Sequence, residues 1–340
     1  MKQVWLEHFD EGGYKIYRVP CIIATQKGTV IAGYESRRAA ANDWASMDIT
    51  IRRSTDGGET WSERIVVGDS YENCTLHNPV LFADGEIVHM LYNKNYHEVY
   101  YTRSTDDGLT WSKPRDISAV YETLRPQCNW TIVANGPCHG IVTSGGRLLV
   151  PLWIAANKYD TKAHHPAVIS TLYSDDRGET WHCGEIIWNT AEYYDMNEAV
   201  LAETCDGRLL INCRHVTNNG MRLLGYSPDG IQGWHDMHFE PQLKEPICAA
   251  GMAYDKTRIW FTNCDNGPDM RRIDLTLQRS DDAGKTWHKL CRLDPWGGYS
   301  DAFYDPNADK LYVIAETGRS IPGDEFSFGL SVFILDGNEI

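Results

Sequence analysis

The sequence predicts an all-β protein, a six-bladed β-propeller of four-stranded antiparallel blades. An octapeptide occurs four times, and a degraded fifth copy lies between the third and fourth. Short apolar runs separated by turn residues fill the chain between the copies, and aromatic residues are frequent, with 12 Trp and 18 Tyr among 340 residues. Repetition at such a period is typical of solenoids, propellers and arrays, and aromatic side chains favour strands.

The octapeptide has the composition of a hairpin turn. Residues 54–61 read Ser-Thr-Asp-Gly-Gly-Glu-Thr-Trp. The other complete copies are residues 104–111, 174–181 and 280–287, and the degraded copy is residues 227–234. Ser and Asp hydrogen-bond the backbone just ahead, Gly accepts positive φ, and Trp supplies an apolar anchor. A calcium loop would need regularly alternating carboxylates, which the octapeptide lacks. We call these octapeptides boxes. We interpret them as parts of the structural scaffold.

The same order of elements precedes each box: an apolar run, a tight turn, a second run, a polar loop and a third run. The predicted first strands are residues 17–24, 79–82, 140–143, 199–203, 250–253 and 301–304. The predicted second strands are residues 29–34, 86–92, 147–154, 208–213, 258–262 and 311–315. The predicted third strands are residues 49–53, 98–103, 167–173, 221–226, 273–279 and 328–335. Each fourth strand follows a box.

The sixth module has no box, and residues 4–9 are predicted to supply its missing strand. Six such units closed by the N-terminal strand make a propeller. A β-sandwich is the alternative, but it does not account for the spacing of the boxes. We expect a single domain over residues 1–340.

Composition and charge exclude several classes of partner. The formal net charge of −15 disfavours nucleic acid and anionic membranes. Apolar runs long enough to cross a membrane are absent, and residues 1–20 do not resemble a signal peptide. We therefore expect a cytoplasmic protein whose ten scattered cysteines are reduced thiols, mostly buried. The oligomeric state is not predicted.

The strand order brings a set of polar residues to the face opposite the boxes. In an antiparallel blade the first-to-second turns share one face with the boxes, and the second-to-third loops and the links between blades share the other. Seven candidates fall at strand ends or in loops on that second face: Arg18, Asp43, Glu198, Arg214, Arg272, Tyr299 and Glu316. Loops on a rigid scaffold are where function usually resides. We therefore look for the functional site at this end of the central channel.

Three arginines directed at one axis would repel one another unless an anion neutralised them. The planar guanidinium suits a carboxylate. The set of Arg18, Arg214 and Arg272 therefore predicts an anionic ligand bound through a carboxylate or a similar group, and Glu316 is expected to pair with one of these arginines and orient it.

The sequence resembles the sialidases, or exo-α-neuraminidases, over essentially its whole length. Tyr17-Arg18-Val19-Pro20 is similar to the Tyr/Phe-Arg-Ile-Pro motif of that family, and the octapeptides resemble its Asp boxes. The segments around Glu198, Arg214, Arg272 and Tyr299 resemble family segments in the same order. A further likeness, at residues 136–140, departs by Cys138 where the family usually has Gly, and Ala315 stands where Tyr is more frequent.

The resemblance implies a retaining exo-α-sialidase that releases terminal sialic acid from a glycan. Tyr299 is then the nucleophile, Glu198 its base and Asp43 the general acid and base, while the three arginines bind the substrate carboxylate. A neutral phenol avoids the repulsion that a carboxylate nucleophile would meet at an anomeric carbon bearing a carboxylate, and sialidases are a known exception to the two-carboxylate rule. We expect the loop of Asp43 to raise the pKa of its carboxyl group.

Weaker candidates and alternatives accompany this hypothesis. Asp48 competes with Asp43 as the acid. Arg37 is a candidate contact for sugar hydroxyls, and His139 is either a pocket residue or a hydrogen-bonded structural histidine. Neither a metal nor an organic cofactor is expected. Alternative functions are a trans-sialidase or anhydro-forming enzyme, a glycosidase for another acidic 2-keto sugar, and a non-catalytic carbohydrate-binding propeller. Linkage preference, N-acyl group and natural glycan stay open.

Overall fold

The computed structural model describes residues 1–39, 42–70, 74–217, 219–267, 270–318 and 329–340. Within these residues strands dominate, and they form six separate antiparallel sheets. The first strand is β1 (Lys2–Glu7), and blade 1 follows as β2 (Ile16–Ala24), β3 (Val30–Arg37), β4 (Met47–Ser54) and β5 (Ile65–Gly68). Blade 2 comprises β6 (Leu76–Asp84), β7 (Ile87–Lys94), β8 (Glu98–Ser104) and β9 (Arg115–Asp116).

A short helix α1 (Ala119–Glu122) leads into blade 3, which comprises β10 (Ile132–Asn135), β11 (Ile141–Val142), β12 (Leu148–Ala155), β13 (Ala167–Ser174) and β14 (His182–Cys183). Blade 4 comprises β15 (Ala199–Glu203), β16 (Leu209–Cys213), β17 (Met221–Ser227) and β18 (His235–Lys244). Blade 5 comprises β19 (Gly251–Tyr254), β20 (Ile259–Cys264), β21 (Ile273–Ser280) and β22 (His288–Trp296). Blade 6 comprises β23 (Ser300–Asp305), β24 (Lys310–Thr317) and β25 (Gly329–Asp336), and a 3₁₀ turn follows at Gly337–Glu339.

This arrangement confirms the six-bladed propeller. The predicted closure is also confirmed, because β1 pairs antiparallel with β25 and completes the sheet β1-β25-β24-β23. Blade 6 therefore joins both ends of the chain in one sheet. Residue 328, with which the predicted third strand of this blade begins, lies outside the described residues.

Blade 3 departs from the prediction. Its innermost position is shared by two short strands, β10 and β11, which pair with opposite ends of β12. The segment between them, residues 136–140, contains Gly136 and Cys138 at positive φ, so the backbone leaves the ladder there. The sequence predicted only the second of these strands, together with residues 140 and 143, which lie outside it.

The boxes are turns fixed by their own side chains. In the first box Asp56 accepts hydrogen bonds from the backbone N–H of Thr60 at 3.0 Å and from its hydroxyl at 2.5 Å. The Ser54 hydroxyl accepts from the backbone N–H of Gly58, which has φ of +90°. The Trp61 indole N–H donates to the Gly58 carbonyl at 3.1 Å. Equivalent serine and aspartate contacts occur in the boxes at residues 104–111, 174–181 and 280–287.

Apolar side chains fill the space between adjacent blades. For example, Phe82 of blade 2 packs with Leu148 and Trp181 of blade 3 in one buried cluster. Such contacts fix the blades rigidly around the central channel, so residues at the strand ends have defined relative positions. None of the helices among the described residues is long and apolar enough to cross a bilayer.

Candidate active site

The centre of the site is the phenol of Tyr299, which immediately precedes β23 of blade 6. Its hydroxyl donates to Oε1 of Glu198 at 2.5 Å and accepts from Nη1 of Arg214 at 2.8 Å. Glu198 and Arg214 belong to blade 4, where they flank β15 and β16, and they also form an ion pair with each other. The predicted nucleophile and base are thus in direct contact across the channel.

All three predicted arginines surround this phenol. The guanidinium carbons of Arg18 and Arg272 lie 5.0 and 5.2 Å from the centroid of the Tyr299 ring. Arg272 also donates through Nη2 to the carbonyl of Ile247 at 3.2 Å. The Nε of Arg214 is buried without a hydrogen-bond partner among the described residues. Three cations next to an unused buried donor make a site suited to an anion.

Glu316 holds two of these residues in place. Its carboxylate is fully buried and accepts from Nε and Nη2 of Arg18 at 3.0 and 3.3 Å. The backbone N–H of Tyr299 donates to it at 3.0 Å, and the backbone N–H of Val19 at 3.1 Å. The expected pairing of Glu316 with an arginine is therefore present, and the same carboxylate fixes the main chain of Tyr299.

Asp43 lies in the loop between β3 and β4 and pairs with Arg37. Nη1 of Arg37 donates to Oδ1 of Asp43 at 2.7 Å, while its Nε and Nη2 both donate to Oε2 of Glu35 at 2.8 and 2.6 Å. Glu35 and Arg37 are buried, whereas the side chain of Asp43 is 46% exposed. Glu35 thus fixes the guanidinium group of Arg37, which places a positive charge beside the exposed carboxyl group of Asp43.

The expected increase in the pKa of Asp43 is wrong. Burial does push the pKa of this carboxyl upward, but the guanidinium groups of Arg37 and Arg18 outweigh burial and hold its pKa below the ordinary value. The loop places Asp43 close to Arg37 and Arg18, whose positive charges lower the pKa of its carboxyl group. The sequence prediction considered only the exclusion of water, which raises that pKa.

The phenol of Tyr299 has the opposite tendency. Burial raises its pKa well above the ordinary value, and the Glu198 carboxylate raises it further, although the three arginines oppose this. The resting phenol is therefore protonated, and its proton already points at Glu198. Among the described residues no group of His, Cys, Asp and Glu side chains has an arrangement suited to a metal ion.

Asp48, the competing acid, has a structural position. It is 2% exposed and accepts from the hydroxyls of Tyr14 and Ser70, at 2.5 and 2.7 Å, and from Arg38 at 2.5 Å. A carboxylate with all these donors is held in its ionised form, and burial of the Tyr14 phenol beside it raises the pKa of that phenol to about 12. Asp48 is therefore buried in a network of donors, whereas the side chain of Asp43 is 46% exposed, and the choice of Asp43 as the acid stays a prediction.

His139 lies deeper in the channel. Its backbone N–H donates to Oδ2 of Asp301 at 2.9 Å and its Nδ1 contacts Oδ1 of Asp301 at the same distance. Asp301 also accepts from the backbone N–H of Ile22, so it links blades 1, 3 and 6. His139 lines a cavity with Val142 and Tyr304, at the strand ends on the box face. This is the hydrogen-bonded structural position rather than a place in the arginine-lined pocket.

The sequence reasoning missed an aromatic cluster beside Asp43. Trp44 lies 4.7 Å from Tyr96 between ring centroids, and His164 lies 4.7 Å from Tyr96 and 5.3 Å from Trp153. All are in or next to second-to-third loops, so the face argument could have found them. Glu35 was also missed, although it stands two residues before Arg37 and so faces the same side of the strand.

The fold and the site together define a class: a six-bladed propeller with an arginine-lined, tyrosine-centred pocket at one end of its channel. A family model described as a BNR repeat-like domain matches residues 28–313. The chain is 28% identical over 319 residues to a sialidase of Micromonospora viridifaciens, covering 81% of this chain and 46% of that protein. It is 29% identical over 350 residues to a sialidase of Paraclostridium sordellii, covering 90% and 82%.

Among solved structures, the covalent-intermediate complex of Trypanosoma rangeli sialidase with 2,3-difluorosialic acid matches with a TM-score of 0.77 at 18% identity. That match covers 99% of this chain and 59% of the trypanosomal chain. The chain spans about half the length of two of the curated relatives that it matches. It belongs to the sialidase family with BNR repeats.

Proposed function

We propose that this protein is an exo-α-sialidase that releases terminal sialic acid with retention of configuration, through a covalent intermediate on Tyr299. The observation that carries the proposal is the hydrogen bond of 2.5 Å from the Tyr299 hydroxyl to Glu198, inside a ring of three arginines. A phenol with a pKa above its ordinary value is a poor nucleophile unless a base takes its proton. Glu198 is in place to do so.

The arginines explain why the substrate is an acidic sugar. Arg18, Arg214 and Arg272 form a site for a carboxylate attached to the anomeric carbon, and the unused Nε of Arg214 is one donor for it. Their positive charge also opposes the rise in the pKa of the Tyr299 phenol and so favours transfer of its proton to Glu198. A sialylated glycan is the substrate class that meets these requirements.

In the first step the Tyr299 oxygen bonds to the anomeric carbon and its proton passes to Glu198. The bond to the leaving oxygen breaks, and Asp43 donates its proton to that oxygen. In the second step a water gives its proton to Asp43 and attacks the anomeric carbon. The Tyr299 oxygen then leaves and recovers its proton from Glu198. Because two displacements occur at one carbon, the configuration is retained.

The protonation state of Asp43 sets a condition on this mechanism. Arg37 and Arg18 hold its pKa below the ordinary value in the free protein. A sugar hydroxyl that takes up Arg37, as the sequence suggested, would weaken that effect and let Asp43 carry its proton. The proposal therefore includes Arg37 as a sugar contact that also controls the acid.

The test compares wild type with Tyr299→Phe on an aryl α-sialoside, followed by mass spectrometry after incubation with 2,3-difluorosialic acid. We expect turnover by the wild type, loss of at least 10³-fold in the variant, and a covalent adduct on a peptide containing Tyr299. Turnover unaffected by the substitution would refute the assignment of the nucleophile. Binding of free sialic acid without turnover would instead indicate a carbohydrate-binding propeller.

A further inference from the structure

The loop that carries Asp43 is attached to the neighbouring blades by two aromatic side chains. Trp44 follows Asp43 directly, and its half-buried indole has its centroid 4.7 Å from that of the Tyr96 ring. Tyr96, in the second-to-third loop of blade 2, is buried, and its hydroxyl donates to the main-chain carbonyl of Asp43 at 3.4 Å. One tyrosine thus contacts both the acid residue and its neighbour.

Contacts with His77 and with blade 3 fix Tyr96 in place. Its backbone N–H donates to Nε2 of His77 at 3.1 Å, and the two rings stack with centroids 3.7 Å apart. His77 is fully buried, and burial lowers the pKa of its imidazole to about 3, so the ring is neutral and accepts through Nε2. The backbone carbonyl of Tyr96 accepts from Val133 of blade 3 at 2.9 Å. Tyr96 is therefore a rigid support for the loop.

Blade 3 closes the other side of Trp44. Lys162 places its Nζ 5.1 Å from the Trp44 ring centroid, and the His164 ring lies 6.3 Å away. Burial lowers the pKa of the His164 imidazole. The indole is consequently held between blade 2 and blade 3, although it belongs to blade 1.

The carboxyl group of Asp43 has few other constraints. Its side chain is 46% exposed, and Arg37 donates a hydrogen bond to it. If a sugar hydroxyl takes up Arg37 in the complex, that bond weakens, and the position of the acid then depends on its main chain. The Tyr96 hydroxyl bonds the carbonyl of Asp43 itself, and the Trp44 indole packs on the same tyrosine. Asn42 and Thr75 hold the backbone of Trp44 and Ala45 in the same loop.

We propose that Trp44 and Tyr96 are positioning residues that hold the carboxyl group of Asp43 where it protonates the leaving oxygen, a role that rests on the function proposed above. An acid displaced by about 1 Å loses up to ~10²-fold in rate. The loss falls on substrates whose leaving group needs a proton, because a phenolate of low pKa departs without one. A residue that merely stabilised the fold would affect all substrates alike.

The experiment measures kcat/KM on two substrates, an aryl α-sialoside with an acidic phenol and a mixture of 2,3- and 2,6-linked sialyllactose. The variants are Trp44→Ala, Trp44→Phe and Tyr96→Phe, with Asp43→Asn as the reference for a lost acid. Tyr100→Phe and Trp111→Phe are matched controls, because they make the same chemical changes in blade 2 away from Asp43, where Tyr100 donates to Glu98 and Trp111 closes a box.

We expect Trp44→Ala and Tyr96→Phe to lose at least tenfold more on sialyllactose than on the aryl sialoside, as Asp43→Asn does more strongly, and Trp44→Phe to recover part of the loss. Equal losses on both substrates, with a selective loss in Asp43→Asn, would overturn the positioning role and leave the proposed function standing. Should Trp44→Ala fail to fold, Tyr96→Phe decides alone, since it removes one oxygen. A wild type inactive on both substrates would overturn the proposed function first.

Discussion

Replacing Glu316 by Gln removes a charge from the most constrained part of the site. Each carboxylate oxygen accepts two hydrogen bonds, Oε1 from Arg18 and Val19 and Oε2 from Arg18 and Tyr299. Whichever way the new amide turns, its NH₂ group faces two N–H donors. The substitution therefore breaks two bonds of the four and leaves the buried Arg18 without a counter-charge.

The magnitude follows from these contacts. Removing one partner of a buried ion pair costs about 3–5 kcal/mol, a range that already contains the two lost bonds, so we expect the free energy of unfolding to fall by about 4 kcal/mol. For a chain of 340 residues that lowers Tm by roughly 6 °C. Since Arg18 loses one bond and the charge of its bonded partner in either orientation of the amide, kcat/KM on an aryl sialoside should fall by about 10²-fold.

Glu7→Gln is the matched control. Glu7 is also buried, accepts a hydrogen bond from Arg64 at 2.8 Å and forms an ion pair with Arg52 at 2.9 Å, but it joins β1 to blade 1 away from the phenol. Calorimetry should show both variants destabilised, and steady-state kinetics at a temperature where both are folded should show only Glu316→Gln impaired. Normal kcat/KM in Glu316→Gln would refute the idea that this carboxylate orients Arg18.

Two further predictions concern charge. Because Arg37 lowers the pKa of Asp43, Arg37→Gln should raise that pKa and move the alkaline limit of kcat/KM on sialyllactose to higher pH; an unmoved limit would contradict the assignment of Asp43 as the acid. Hydrogen bonds from Thr180 lower the pKa of Asp176 to about 2 from 3.8, so its stabilisation is complete above pH 4 and is lost as the pH falls through 2. Asp176→Ala should lower Tm by a few degrees at pH 7 and by less at pH 2, with kcat unchanged, whereas the exposed Asp175→Ala should do little.

The repeat allows most of the fold to be predicted from the sequence. The recurring order of apolar runs and turns set the number of modules, and the unused N-terminal run predicted the strand that closes blade 6. The inner strand of blade 3 was predicted only in part, because residues 136–140 interrupt it and separate Ile132–Asn135 from Ile141–Val142. Local apolar patterning cannot show that two segments five residues apart share one position in a sheet.

The candidate site was likewise predicted only in part. Strand order alone placed Arg18, Glu198 and Tyr299 at one end of the channel, because alternate turns of an antiparallel blade lie on alternate faces. It did not give the pKa of Asp43, which depends on how close two guanidinium groups come, nor the position of His139, which faces the box side of the channel. The catalytic roles of the residues at this end of the channel stay predictions.

The sequence by itself determined the architecture and the residue types that meet at the channel, since repeats and strand alternation are local properties of the chain. Only the tertiary structure decided which partners these residues take. Glu316 is bonded to Arg18 across nearly the whole chain length, and Tyr96 of blade 2 supports the loop of Asp43 in blade 1. Such contacts form only when side chains of separate blades are positioned to within a few tenths of an ångström. Only the packing of the whole propeller fixes their positions so closely.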